Sequence, residues 1–230
     1  MREKGFTTYK TCLSNFSKVW LPAGLPEANK IENNYVGITM KQEIVITGFG
    51  GQGIVLAGRV LGNAAAIGDN RESTLIQSYG PESRGGACSA QVIISDTMIH
   101  YPYIRSSDVL VAMSQSGYEK YIPQLKADGM LLYDQDLVKP IEGTQGKYAV
   151  PATRLAEELG RKMMANIIMI GFITSVTQVV TLEAARNTVA ESVPKGTEKM
   201  NLEAFGKGYD FGLSRLKGLE KKASGKTGAI

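Results

Sequence analysis

The stretch Gly48-Phe49-Gly50-Gly51-Gln52-Gly53 predicts the fold of this chain more directly than any other. It follows a β-branched run at residues 44–47 and precedes a segment with the apolar spacing of a helix at residues 53–67. Glycine allows a tight turn from strand to helix, and it lets a phosphate reach main-chain N–H groups with no Cβ in the way. The pattern therefore predicts a strand, an anion-binding turn and a helix that begins near Gln52 or Gly53.

A second glycine-bearing segment, Ser78-Tyr79-Gly80-Pro81-Glu82-Ser83-Arg84-Gly85-Gly86, leads directly into a strand. We expect the two loops to lie at neighbouring strand ends and to form one anion-recognising surface, because ligands of α/β sheets bind beyond the carboxyl ends of the strands. The alternative, glycines that only make tight turns, explains two such loops less well. The candidate anion-binding residues are Gly50, Gly51, Gln52, Gly53, Ser78, Tyr79, Gly80, Pro81, Glu82, Ser83, Arg84, Gly85 and Gly86.

The alternation of strand and helix patterns predicts the α/β class, with a doubly wound, mostly parallel sheet, flanking helices and a Rossmann-like single domain. Thr181 and Asn201 are expected to cap the helices that follow them. The predicted strands are residues 44–47, 73–77, 87–95, 99–103, 108–114 and 130–133, with an edge strand within 140–150, and the predicted helices are residues 53–67, 116–125, 154–159, 165–180, 182–192 and 202–215.

The helix predicted at residues 165–180 is mostly apolar, and small residues such as Gly171 and Ser175 permit close packing. It is either the central helix of the core or a helix that meets another chain. On either side of the domain at residues 40–215, we expect a poorly ordered extension at residues 1–39 and a basic flexible tail at residues 216–230. Met40 is a candidate alternative translation start, which N-terminal sequencing of native protein would test.

The net charge of +4 is unevenly distributed along the chain. Residues 1–39 carry +2, residues 213–230 carry +4, and the residues between them carry −2. Phosphate neutralisation supplies most of the affinity for nucleic acid, so a nucleic-acid-binding protein carries its basic surface on the folded part. We therefore expect no nucleic-acid partner. Arg59, in the first predicted helix, either supports the anion site or is an ordinary exposed helix arginine.

Cysteine and histidine are too few for a metal centre of the usual kinds. Cys12 and Cys88 form no Cys-x-x-Cys pair, and His100 is the single histidine. The chain by itself is therefore expected to hold no iron–sulfur cluster and no tetrahedral zinc. Reduced thiols and a cytoplasmic location are expected, and His100 fits a structural role better than a catalytic one. The longest apolar run, residues 167–173, is shorter than the roughly 18–20 residues that cross a bilayer, so we expect no membrane association.

The spacing Gly48-x-Gly50-x-x-Gly53 matches the dinucleotide-binding fingerprint. The fingerprint expects an acidic residue at the end of the second strand, where it binds the adenine ribose. Asp69 comes before that strand and Gln77 occupies its end. A nicotinamide-dependent dehydrogenase would also need a catalytic proton donor, which the sequence does not offer. This function is the less favoured alternative.

Both glycine segments resemble those of the gamma subunits of 2-oxoacid:ferredoxin oxidoreductases. The likeness covers about residues 42–212, and the second glycine segment is its most specific part. Shorter stretches of likeness are residues 108–112, Pro151-Ala152-Thr153, Ala165-Asn166 and Asn201-Leu202-Glu203-Ala204-Phe205.

The resemblance implies a subunit rather than a complete enzyme. Such complexes convert a 2-oxoacid, coenzyme A and oxidised ferredoxin to an acyl-CoA, CO2 and reduced ferredoxin. It further implies thiamine diphosphate and [4Fe–4S] clusters on partner chains, namely alpha and beta subunits and a ferredoxin-like delta subunit, and no catalytic side chain here. The second loop looks most like that of 2-oxoglutarate-using members, while pyruvate and branched-chain 2-oxoacids stay open.

The resemblance also implies a share in coenzyme A binding. Gly50, Gly51, Gln52 and Gly53 would hold one phosphate with backbone donors, and Arg84 would pair with another. Arg84 equally fits a salt bridge to Glu82 or to a partner subunit. A scaffold that only holds the other subunits together is the alternative function from a different class.

Overall fold

The computed structural model describes residues 40–79, 87–141 and 146–226. All of them belong to one compact unit. The N-terminal extension and residues 80–86 of the second glycine segment lie outside the described residues. Among the described residues, no helix is both long enough and apolar enough to cross a membrane.

A mixed six-stranded sheet forms the centre of the fold. Its strands are β1 (Lys41–Phe49), β2 (Glu72–Tyr79), β3 (Ala87–Ser95), β4 (Ser107–Ala112), β5 (Leu125–Asp134) and β6 (Lys147–Val150). The order across the sheet is β2-β3-β1-β4-β5-β6. The adjacent strands β1, β4, β5 and β6 pair in parallel, whereas β3 pairs antiparallel with both β1 and β2. The predicted α/β class with a mostly parallel sheet is confirmed, and β3 is the one strand that runs against the others.

The antiparallel direction of β3 follows from the length of its connection to β2. Only residues 80–86 separate the two strands. A parallel pair needs a crossover of about a dozen or more residues, so this short segment can only return the chain antiparallel to β2. The strand order reverses at β1, because the chain builds β2 and β3 on one side of β1 and then β4 to β6 on the other.

Helices cover both faces of the sheet, and alternate residues of each strand face opposite sides. Ile44 and Ile46 of β1 belong to a large apolar core, to which five of the helices contribute. Val45 belongs to a smaller core, with Tyr118 and Tyr121 of the remaining helix. In chain order, the helices are α1 (Ile54–Asn63), α2 (Gln115–Tyr121), α3 (Ala152–Glu158), α4 (Ala165–Thr177), α5 (Leu182–Ser192) and α6 (Glu198–Lys226), and α2 is the one on the smaller core.

The fourth helix, α4, is the central helix of the large core. Nearly all of its residues are buried, and it packs closely along α6. Glycines make this approach possible: a Cβ at Gly171 would stand 2.9 Å from the Tyr209 backbone nitrogen, and one at Gly208 would stand 2.7 Å from the Ile168 carbonyl carbon. Of the two roles predicted for this helix, packing in the chain's own core is the one that the structure confirms.

Two details of the predicted elements are wrong and one is confirmed. The predicted strand at 99–103 is wrong, because these residues pair with no strand of the described sheet. Tyr101 and Tyr103 are more than half exposed, and the next backbone N–H, that of Ile104, donates to Gln91 Oε1 instead of to a strand. Thr181 caps α5 as predicted, since its Oγ1 accepts from the backbone N–H of the third residue after it. Asn201 does not cap a helix, because α6 begins earlier, at Glu198.

The last helix also continues to Lys226. Residues 216–226 of the predicted flexible tail are therefore helical in the structure. The division of the chain into an extension, a domain and a tail stays a prediction.

Candidate functional site

The first glycine loop connects β1 to α1 at the carboxyl edge of the parallel strands, beside the point where the strand order reverses. Gly53 is the N-cap of α1, so the predicted start of the helix is confirmed. Gly51 and Gly53 have positive φ angles of 97° and 74°, which residues with a Cβ rarely adopt. The backbone N–H groups of these two glycines donate no hydrogen bond to any of the residues that the structure describes.

The side chain of Gln52 fixes the conformation of this loop. Its Oε1 accepts a hydrogen bond from Phe49 N–H at 2.6 Å, and its Nε2 donates to the Met113 carbonyl at 3.0 Å, just beyond β4. The Gln52 backbone N–H donates to the Phe49 carbonyl at 3.1 Å. Gln52 is therefore engaged within the protein at both its backbone and its side chain, which leaves the N–H groups of Gly50, Gly51 and Gly53 as the loop's donors.

Two glycines of the fingerprint lie directly against the protein's own side chains. A Cβ at Gly48 would collide with Gln52 Oε1 and stand 2.6 Å from Ile54 Cδ1. A Cβ at Gly53 would collide with the amide group of Asn166, whose Nδ2 donates to the Gly53 carbonyl at 3.4 Å. Asn166 lies in the first turn of α4, so the loop is also attached to the central helix.

Two clefts open on either side of the loop and share Gly51, Lys162 and Met163 as a common wall. The strand cleft, of about 270 Å³, lies beyond the ends of β4 and β5. It is lined by Gly51, Gln52, Met113, Leu137, Thr153, Lys162, Met163 and Ala165. The helix cleft, of about 400 Å³, lies among the helices that cover the large core. Its lining combines apolar side chains with the two basic residues Arg161 and Lys162.

The N-termini of three helices meet at the helix cleft. Its wall includes Gly53, the N-cap of α1; Asn166 in the first turn of α4; and Thr197 with Asn201 at the start of α6. Unpaired N–H groups and the helix dipole give each N-terminus a partial positive charge. Arg161 and Lys162 add full charges, although Lys162 Nζ is 3.1 Å from Glu157 Oε1 in an exposed pair. The electrostatics of the cleft therefore favour an anion.

The second glycine segment begins at the same edge of the sheet. Tyr79 at the end of β2 and Gly48 near the end of β1 both lie opposite Cys88 of β3. One strand therefore lies between the two strand ends, which puts them roughly 10 Å apart. Ser78 and Tyr79 are described within β2, whereas Gly80, Pro81, Glu82, Ser83, Arg84, Gly85 and Gly86 are not described. Their part in the site stays a prediction.

The strand order argues against the dinucleotide-binding alternative. In that fold the acidic residue that binds the ribose ends a strand beside β1, at the same edge as the glycine loop. Here the neighbour on that side is β3, which runs antiparallel and ends at the opposite edge. The end of β2, one strand further away, carries Gln77 and Ser78 instead of an acid.

Sequence reasoning missed the far wall of the site. Arg161, Lys162, Asn166 and Asn201 lie more than 100 positions from the glycine loop, and they approach it only after α4 has packed against α1 and α6 against α4. The available signal was the run Arg161-Lys162 directly before an apolar helix, because a basic pair next to a helix N-terminus favours an anion.

Cys88 is not placed to act as a nucleophile. It is a free, buried thiol at the start of β3, and burial raises the pKa of the thiol above its ordinary value. A buried thiol with a raised pKa is a poor nucleophile. Within the described ranges, no group of three or more histidine, cysteine or acidic side chains is placed to hold a metal ion.

Comparisons with known proteins agree on one family. Residues 43–211 match the family model described as pyruvate ferredoxin/flavodoxin oxidoreductase. The chain is 48% identical over 177 residues to the 2-oxoglutarate synthase subunit KorC of Methanocaldococcus jannaschii, covering 75% of this chain and 95% of that protein.

Solved structures share the fold. A keto/oxoacid ferredoxin oxidoreductase gamma subunit from Geobacter sulfurreducens matches with a TM-score of 0.67 and 38% identity, over 75% of this chain and 99% of its own. A 2-oxoglutarate:ferredoxin oxidoreductase from Magnetococcus marinus, solved with 2-oxoglutarate, coenzyme A and succinyl-CoA bound, matches with a TM-score of 0.69 and 22% identity, over 76% of this chain and 31% of its own. The chain belongs to the pyruvate ferredoxin/flavodoxin oxidoreductase family, as a gamma-type subunit of an oxidoreductase complex.

Proposed function

We propose that this chain is the gamma subunit of a 2-oxoglutarate:ferredoxin oxidoreductase and that it helps to bind coenzyme A. The complex would convert 2-oxoglutarate, coenzyme A and oxidised ferredoxin to succinyl-CoA, CO2 and reduced ferredoxin. The choice of 2-oxoglutarate is supported by relatives that are 47–48% identical and are named 2-oxoglutarate synthase subunits, whereas a pyruvate synthase subunit is 28% identical.

The observation that carries the coenzyme A proposal is the first glycine loop, which stands between the two clefts. Its Gly51 and Gly53 N–H groups are not used within the described part of the chain, and α1 begins directly behind them. Backbone donors at a helix N-terminus are a common binding site for phosphate. Coenzyme A is a long molecule with a pyrophosphate at its middle, so it can place this group on the loop and extend into a cleft on each side.

The chain's own residues would bind and orient this co-substrate without reacting with it. Gln52 and Asn166 hold the loop so that its donors keep their positions. Thiamine diphosphate and [4Fe–4S] clusters would be held by partner chains, expected to be alpha, beta and delta subunits, with ferredoxin as the electron acceptor. A cytoplasmic location is part of the proposal.

The test is Gly51→Ala in the assembled complex. A Cβ at Gly51 meets no atom within 4 Å, so the variant has space to fold, but its positive φ strains alanine by about 1–2 kcal/mol. Relief of this strain would turn the N–H groups away from the pyrophosphate, and the new methyl group would stand at the binding surface. We expect KM for coenzyme A to rise about tenfold or more while KM for 2-oxoglutarate stays unchanged.

Gly196→Ala is the matched control. Gly196 also has a positive φ, 87°, and a Cβ there also meets no atom within 4 Å, but it lines neither cleft. It should lower stability by a similar amount and leave both KM values as they are. If Gly51→Ala behaves like this control and calorimetry finds no coenzyme A binding to the isolated chain, the subunit is a scaffold. For Arg84, an unchanged coenzyme A affinity in an Arg84→Ala complex would remove its proposed contact.

A further inference from the structure

We infer that the outer edge of β2 pairs with the same strand of a second copy of this chain, antiparallel and about a two-fold axis at Ile76. β2 is one of the two edge strands of the sheet, and among the residues that the structure describes no strand pairs with its outer side. An open edge presents a row of unpaired N–H and C=O groups, which is a template for pairing with another chain. The pairing would join two six-stranded sheets into one continuous sheet.

The hydrogen bonds of β3 show which backbone groups of β2 point outward. The Asp96 N–H donates to the Met40 carbonyl at 3.0 Å, which extends the antiparallel ladder between β1 and β3 by one pair. Because these groups alternate in direction along a strand, even-numbered residues of β3 bond to β1 and odd-numbered residues bond to β2. The β2 residues opposite those odd positions are even-numbered, so the backbone groups of its odd-numbered residues point outward. Two of these residues, Ser73 and Leu75, donate their N–H groups to no acceptor within the described ranges.

The two edges of the sheet differ in their protection against such pairing. Natural edge strands are kept short, bulged, covered by other elements, or supplied with lysine or proline. At the other edge, β6 has only 4 residues, begins with Lys147 and contacts α6. In contrast, β2 has 8 residues, pairs with β3 without a register shift, and contains neither lysine nor proline. Its single charged residue is Glu72 at its start, which leaves Ser73–Tyr79 as an uncharged, unprotected edge.

The symmetry of this uncharged edge favours a second copy as its partner. Its middle residue is Ile76, and the outward-pointing residues at positions 73, 75, 77 and 79 are distributed symmetrically about it. A two-fold axis at Ile76 places each of them opposite another outward-pointing residue, for example Ser73 opposite Tyr79 of the second copy. About eight backbone hydrogen bonds can then form, and an axis at any other residue of β2 matches fewer positions. Glu72 stays outside the paired stretch, so no like charges meet.

The side chains on one face of β2 suit the same axis. Thr74 lies opposite Ile93, so Thr74 and Ile76 are on the face of the smaller core, and Ile76 is partly exposed. Both would take non-hydrogen-bonded positions of the new ladder, where opposite Cα atoms are about 4.5 Å apart. Ile76 would meet Ile76 of the second copy, and Thr74 would meet Ser78. Pairs of β-branched residues and threonine–serine pairs are favourable across strands.

The pairing is independent of the coenzyme A binding proposed above. Neither cleft is lined by a residue of β2. The two-fold axis is perpendicular to the sheet, so the carboxyl edges of the two copies face in opposite directions. Both glycine loops and both clefts would therefore stay open in the pair.

The experiment measures the mass of the full chain in solution by sedimentation equilibrium over a range of concentrations. We expect the unsubstituted chain to approach twice the monomer mass as its concentration rises. Ile76→Lys and Ile76→Glu each place like charges directly opposite one another, and each should raise the dissociation constant by about tenfold or more. An equimolar mixture of the two variants should form a heterodimer, because opposite charges then meet at the axis. A variant that merely failed to fold could not be rescued by mixing.

Cysteine substitution tests the position of the axis. In a Cys12→Ser background, Ile76→Cys would bring two thiols together at the axis within disulfide distance, so mild oxidation should give a crosslinked dimer. Thr74→Cys is the matched control on the same face of β2. Its two copies would lie four residues apart along the ladder, or about 13 Å, and should stay uncrosslinked.

Three results would overturn the inference. The first is an unsubstituted chain that stays monomeric at about 100 μM, which would place its affinity below that of weak specific complexes. The second is a mixture of Ile76→Lys and Ile76→Glu that forms no heterodimer, and the third is Thr74→Cys crosslinking as readily as Ile76→Cys. If the chain is monomeric alone and the β2 amides become protected from hydrogen exchange only in the assembled complex, the partner is a strand of another subunit and the second copy is wrong.

Discussion

Replacing Gly208 with alanine is expected to force α6 away from α4. A Cβ at this position would collide with the Ile168 carbonyl oxygen and stand 2.7 Å from its carbonyl carbon and 3.0 Å from its Cα. These atoms belong to the backbone of a buried helix, so no side-chain rotation can make room. Overpacking of this kind costs about 1–3 kcal/mol, and a rigid backbone obstacle places the cost at the upper end.

The net magnitude includes the intrinsic preference of alanine for helix. Alanine is more favourable than glycine in a helix interior by about 1 kcal/mol. Gly208→Ala should therefore lower the free energy of unfolding by about 2 kcal/mol, and the melting temperature by about 4–8 °C for a domain of this size. Gly206→Ala lies in the same helix where a Cβ meets no atom within 4 Å, so it should raise stability by up to about 1 kcal/mol.

Urea unfolding of the purified chain measures the free energy of unfolding of both variants. It can be followed by circular dichroism at about 222 nm, where helices give a strong signal. Both substitutions change glycine to alanine in α6, yet they should change the free energy of unfolding in opposite directions. Each is therefore a control for the other. Equal midpoints for Gly208→Ala and Gly206→Ala would refute the close approach of α4 and α6.

Three further predictions test other contacts. A hydrogen bond from a backbone N–H, together with an arginine, lowers the pKa of Asp96 below its ordinary 3.8. Asp96→Asn should therefore lower the melting temperature at pH 7. The difference in melting temperature between the variant and the unsubstituted chain should close as the pH falls through the lowered pKa, below 3.8. Asp134→Ala leaves three donors without an acceptor and should cost about 3 kcal/mol or more in urea unfolding, whereas Asp136→Ala breaks only an exposed ion pair and should cost under about 1 kcal/mol. Gln52→Ala removes two hydrogen bonds from the glycine loop and should raise KM for coenzyme A several-fold; an unchanged KM would show that the loop needs no clamp.

Local patterns predicted most of the fold because burial and periodicity are recorded residue by residue. The strand at Ala87–Ser95 and the helix at Leu182–Ser192 were placed at their observed bounds, and the buried α4 was recognised from its apolar length. Residues 99–103 alternate like a strand, but they pair with no strand of the described sheet, and the N–H of Ile104 after them donates to the side chain of Gln91. The direction of β3 depends on pairing, which periodicity does not record, although the short connection before it could have indicated an antiparallel pair.

The site was only half predictable, for a related reason. The glycine loop is continuous in sequence and could be identified there, together with the helix that begins at Ile54. The wall opposite the loop comes from Arg161, Asn166 and Asn201, and these residues meet the loop only through tertiary packing. The clamp by Gln52 was also invisible, because its partner at Met113 belongs to a different strand end.

The two collisions at Gly48 and Gly53 separate the glycines of the fingerprint into two kinds. The side chain of Gln52 occupies the space beside Gly48, and the side chain of Asn166 occupies the space beside Gly53, whatever molecule the subunit meets. Gly51 has no such neighbour. A descendant of this subunit that abandoned its cofactor would be held at the first two positions by side-chain collisions, whereas at the third only the strain of a positive φ, about 1–2 kcal/mol for alanine, would oppose replacement. The identity of residue 51 would then be the better historical record of ligand use, even where the overall glycine pattern survives.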